Sequence, residues 1–131
     1  MKNIFLLLTI AAFVFAFTEI NTVGDPWDIP SKYDNMENPT SADDADCLDV
    51  GKSLYVKHCR SCHGSEGFGD GKKAGEIDTE MPDISTDEYK NQPAGHIYFK
   101  SFIGREDMPN FEKKIPSEED RWCIINYMDT F

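Results

Sequence analysis

Basic side chains are scarce in this 131-residue chain: 13 lysines and arginines stand against 24 aspartates and glutamates, a formal charge of −11. No basic stripe of any length appears, which excludes a nucleic-acid binder and charge-driven docking on an anionic membrane. Long hydrophobic runs are missing too, since none reaches the roughly 20 residues that cross a bilayer comfortably. No segment alternates convincingly between apolar and polar residues, so strands are not expected and the fold class is all-α. There is no internal repeat, no Ser/His/Asp or Cys/His catalytic group, and no paired-carboxylate site. These absences point away from an enzyme acting on a small-molecule substrate.

What remains falls into three stretches. Lys2 precedes an apolar run from Ile4 to Phe17, which has the length of a secretory h-region. Val14-Phe15-Ala16 offers one cleavage site and Gly24 another, and an uncleaved anchor is the alternative. Residues 1–16 are read as a signal peptide, which places the mature protein in the periplasm or on the outer face of the cytoplasmic membrane. No cysteine lies near the cleavage region, against a lipoprotein anchor. Residues 17–45 carry Gly24, Pro26, Pro30 and Pro39 with little periodicity and read as an acidic, extended arm. Its sticky residues are Trp27, Ile29, Tyr33 and Met36, free to clip onto the domain or onto a partner. The acid is concentrated there: residues 17–50 hold nine carboxylates against one lysine, whereas residues 51–115 hold eleven against ten basic side chains.

Residues 46–131 form the folded domain. Cys47, Leu48, Gly51, Leu54, Tyr55 and Cys59 follow a helical period and predict a helix over 46–60. Ser85-Thr86-Asp87-Glu88 has the form of a capping box. Pro93 opens another helix that Gly104 stops, and Pro116-Ser117-Glu118-Glu119-Asp120 starts a last one over 118–130.

Four cysteines in so short a chain suggest a staple or a prosthetic group. Cys59-Arg60-Ser61-Cys62-His63 is the haem attachment pattern C-x-x-C-H. Two thiols three residues apart at a helix end can reach the two vinyl groups of one porphyrin, and the next residue then lies under the iron. A redox C-x-x-C would want a βαβ context, and zinc would want a second ligand pair; neither is present. One covalent haem c is therefore expected, held by Cys59 and Cys62, with His63 on the iron. For the sixth ligand the choice is Met108, in a proline-pinned loop far enough from His63 to reach the opposite porphyrin face. Met81, His96 and His58 are the alternatives, and Met128 reads as core filler.

Together Cys59–His63, the G-x-G-D-G run at Gly67–Gly71, the Gly104…Met108-Pro109 loop and the terminal helix resemble class I c-type cytochromes. The resemblance covers residues 47–131. It implies three to five helices around one haem, with the first and last crossing through Gly51, Tyr55 and Tyr127. It also implies that the Pro82 carbonyl accepts the other N–H of His63. A narrower resemblance rests on Asp120-Arg121-Trp122, Tyr127 and an arm ending in Asn38-Pro39. It is to the monohaem cytochrome subunit of the quinol-oxidising alternative complex III.

Cys47 and Cys123 each lie one helical turn from a crossing residue, so an exported protein would join them if their Cα atoms approach within about 7 Å. Two buried thiols are the alternative. The expected function is single-electron transfer between respiratory redox protein partners. A fixed haem subunit of a membrane respiratory complex and a haem enzyme such as a peroxidase are the rival readings.

Overall fold

The computed structural model describes residues 27–131; the leader at 1–16, both cleavage sites and the first part of the arm lie outside the described residues. Five α-helical segments are present: α1 (Ala45–His58), α2 (Arg60–His63), α3 (Asp87–Lys90), α4 (Ala94–Tyr98) and α5 (Glu118–Met128). Among the described residues there is no strand, only an isolated bridge between Arg105 and Met108. The all-α expectation therefore holds. No helix among them is long and apolar enough to cross a membrane.

Local chemistry sets the helix ends. The Asp44 carboxylate accepts from the N–H groups of Asp46 and Cys47, at 3.0 and 3.3 Å, and so caps α1. Ser117 Oγ accepts from Asp120 N–H at 3.1 Å at the start of α5, where three carboxylates face the positive end of the dipole. Ahead of α3 the cap is Thr86, one residue later than the capping box predicts, because Ser85 Oγ is drawn back to Asp83 at 2.6 Å. The first helix is also shorter than expected. It breaks at Cys59 (φ −113°), and α2 begins as a separate turn. Past α4 the chain widens into a π turn, Phe99–Ile103, and stops at Gly104 with φ +69°.

Helices α1 and α5 cross at Gly51, where a Cβ would lie 2.0 Å from the Cys123 carbonyl oxygen. Only glycine permits this approach. One turn earlier on α1, Cys47 Sγ is bonded to Cys123 Sγ, with the Cα atoms 5.0 Å apart. One turn later, Tyr55 packs on Tyr127 and Phe131 at centroid distances of 5.6 and 5.0 Å. Trp122, Tyr55, Phe102 and Ile124 are the most deeply buried large side chains. Tyr98 links the second half of this core, tilted against Trp122 at 4.7 Å and meeting Phe102 at 5.1 Å.

Where the arm is described it is no free extension. Tyr33, at the end of a single 3-10 turn, is only 7 % exposed and packs on Phe99 and Tyr98. Asp34 meets His96 at 2.9 Å. Further along, the buried amide of Asn126 on α5 accepts from Asn38 at 2.6 Å and donates to Thr40 Oγ1 and the Ser41 carbonyl. The sticky residues are thus used internally, and the packed domain extends back to Trp27.

Two consequences can be measured. Gly51→Ala should destabilise the protein by about 3 kcal/mol or more, because backbone atoms rather than a flexible side chain occupy the site; chemical denaturation of the full chain reads this. Tyr33→Ala should cost about 3 kcal/mol by emptying a core position, whereas an arm that merely trails from the domain would leave the denaturation midpoint unchanged.

Candidate cofactor site

The end of α1 delivers Cys59, and α2 delivers Cys62 and His63. A loop of glycines then folds back on that turn. The N–H groups of Gly69, Gly71 and Lys73 donate to the carbonyls of His63, Cys62 and Ser61, at 2.9, 3.1 and 2.8 Å. Three consecutive carbonyls at a helix end are thereby satisfied. The Tyr55 hydroxyl donates to the Gly64 carbonyl at 2.9 Å, tying the end of the turn to α1. Burial, with Cys59 and other acidic groups nearby, raises the pKa of that phenol, so it stays a donor.

Cys59 and Cys62 are free thiols. Burial, and then the neighbouring Cys62, pushes the Cys59 thiol up to about 12, so it is neutral at physiological pH. Burial also lowers the pKa of His63 and holds its imidazole neutral, the form that ligates metals. Its Nδ1 is buried without a hydrogen-bond partner. A buried imidazole nitrogen left unpaired is costly in a finished core. Two free thiols and a neutral imidazole on one short turn are the donor set that a covalently bound porphyrin iron requires, so the residues fit haem c.

The structure also locates the other expected ligands. Met108 is half-buried against the core. It closes a tight loop in which its N–H donates to the Arg105 carbonyl at 2.8 Å and Glu106 takes φ 47°. Three residues on, Phe111 is buried; its N–H donates to the Phe102 carbonyl at 2.9 Å, and its ring meets His58 at 6.0 Å. His58 immediately precedes Cys59, so Phe111, three residues past Met108, packs beside the attachment turn. Met81 instead packs over Gly69, whose N–H bonds the His63 carbonyl. It therefore lies on the His63 side. His96 is engaged by Asp34. Burial, then Lys57 and Lys114, lowers the pKa of His58. Pro82 is exposed, and its carbonyl does not receive His63 Nδ1, although the adjoining Ile84 N–H does bond the Gly67 carbonyl at 2.8 Å.

Sequence reasoning missed Arg121. Its guanidinium is buried and donates to Tyr98 Oη and the Ile115 carbonyl, both at 2.6 Å. It ties α5 to α4 and to the segment after Met108. In sequence it is named only within Asp120-Arg121-Trp122, with no structural role; its one sign is a lone basic residue between three carboxylates and the apolar half of α5.

Residues 47–128 match the family model described as cytochrome C oxidase, cbb3-type, subunit III. No curated protein matches the chain. The match spans α1, the attachment turn, the Met108 loop and α5, all the elements that build the site. Such a domain binds haem c and serves electron transfer, and it works with redox partners. The chain belongs to this family of c-type cytochromes.

Proposed function

We propose that the chain is an exported cytochrome with a single haem, carrying one electron at a time between respiratory redox partners. The observation that carries this reading is the attachment turn, which brings two free thiols and the neutral His63 imidazole together on one short stretch. Cys59 and Cys62 would hold the haem, with His63 and Met108 on the iron, and the group supplies a one-electron couple. The chain's own part is to fix His63 through the Gly69 and Gly71 bonds and to hold the Met108 loop beside α1 through Phe111. With His63 and Met108 both bound to it, the iron would offer no open position to a substrate.

Export is supported by the leader pattern and by the Cys47–Cys123 bond, a feature of oxidising compartments. Beside the attachment turn the exposed Lys57, Arg60, Lys72, Lys73 and Lys114 are interspersed with exposed Glu66 and Asp70, whereas Asp43, Asp44, Asp46 and Asp49 cluster at the far end of α1. The acid is weaker on the haem side, which suits a partner that docks on a near-neutral face. A fixed subunit of a quinol-oxidising complex is the rival reading; among the described arm residues Trp27, Tyr33 and Met36 pack on the domain, which supports the free carrier.

Two experiments test this. Acid-acetone-treated protein should keep its haem on a denaturing gel, and Cys62→Ser should lose most of it; release of haem from the wild-type chain would overturn the reading. Oxidised protein should show the weak far-red sulfur-to-iron band, and Met108→Ala should abolish it and lower the potential. Loss of the band in Met81→Ala instead, with its persistence in Met108→Ala, would move the ligand to Met81.

A further inference from the structure

The first described residue of the arm, Trp27, lies at the loop that carries Met108. Trp27 is half-buried, its ring edge-on to Phe99 at 6.3 Å, and the Arg105 guanidinium lies 4.2 Å above its centroid. Arg105 is the bridge partner of Met108, and its carbonyl accepts the Met108 N–H. Phe99, the other contact of Trp27, opens the π turn from which the loop departs. One indole thus touches both the root of the methionine loop and the residue paired with the methionine. The rest of the arm is fastened at separate points, through Tyr33 on Phe99, Asp34 on His96, and Asn38 with Thr40 on Asn126.

We propose that residues 27–40 form a strap that positions the methionine loop, with Trp27 the positioning residue for Met108. The loop's own restraints are few. A Cβ on Gly104 would lie 2.1 Å from the Met108 carbonyl, so the turn is narrow; beyond it the chain is held by Thr79 on the exposed Asp107 carboxylate, by the Phe111 N–H and by the Arg121 contact at Ile115. A guanidinium over an indole adds a further restraint. Loosening the strap therefore raises the fraction of molecules in which Met108 is away from its ligating position, with no change at Cys59, Cys62 or His63.

The inference rests on Met108 as the sixth ligand, and the test separates the two. An external ligand that competes with the methionine binds with an apparent affinity scaled by the fraction of open loop. Imidazole binding to the oxidised, full-length holoprotein is the probe, followed by the Soret shift and loss of the far-red band. Trp27→Leu keeps apolar bulk but removes the aromatic face. It should bind imidazole about two- to tenfold more tightly than wild type, the range that one aromatic and one cation–π contact carry. Covalent haem and the helical circular dichroism should not change. A cycle with Arg105→Gln should be non-additive, because both substitutions break one contact. Trp27→Phe, which restores a ring, should fall between Trp27→Leu and wild type. Equal imidazole affinity in Trp27→Leu and wild type, or strict additivity with Arg105→Gln, overturns the strap. If Met108→Ala keeps the far-red band, the ligand assignment itself has failed, and the strap's role falls with it. Should Trp27→Leu not fold, Trp27→Phe against wild type decides by the same affinity comparison.

Discussion

Helices α1 and α5 meet with nothing between their backbones at Gly51, and every functional element takes its position from that contact. The direction of α1 fixes where Cys59, Cys62 and His63 emerge. The direction of α5 fixes Arg121, which holds the chain after Met108, and Asn126, which receives the arm. A helix pair separated by a side chain would stand about an ångström or more further apart, and the two halves of the site would part with it. The Cys47–Cys123 bond and the Tyr55–Tyr127 contact flank the crossing and fix its angle.

The domain is small, and its secondary structure is short. Apart from α1 and α5, no helical segment among the described residues exceeds five residues. Segments of that length are not stable alone. They persist because polar groups are shared between elements: three motif carbonyls served by the glycine loop, Tyr55 on Gly64, Arg121 on Tyr98 and Ile115. Three buried nitrogens among the described residues stay outside this pairing, His58 Nε2, His63 Nδ1 and Trp122 Nε1, and the two imidazoles lie at the attachment turn.

Much of this was legible in the residues. The helix start at Ser117, a helix beginning near residue 46, the C-x-x-C-H turn, the Gly51 crossing and the approach of Cys47 to Cys123 follow from spacing, capping chemistry and resemblance together. Other features escaped for identifiable reasons. A capping hydroxyl at Ser85 and one at Thr86 are equivalent in sequence, and only the nearby Asp83 decides between them. The π turn at Phe99–Ile103 leaves no signature in hydrophobic period over so few residues. The arm read as extended because its periodicity is poor, while its docking surface is assembled from Phe99, Tyr98, His96 and Asn126, all far along the chain. Pairing of Pro82 with His63 was carried by resemblance alone, and no local pattern in these residues could support or refuse it.

Asn38 and Asn126 are 88 residues apart in sequence, yet they share a hydrogen bond of 2.6 Å. The receiving amide is presented by α5, so the strap has no complete docking surface until the last helix has crossed the first. Sequence range does not separate the two steps, since the crossing itself joins residues 76 apart and loop-closure cost grows slowly with length; the shared surface does. The order of assembly is therefore set by topology: α1 and α5 close first, and the segment that precedes them in the sequence settles last. Run backwards, the same order makes the strap the first piece to leave, a local opening that exposes Tyr98, Phe99 and Asn126 while the helical crossing stays shut.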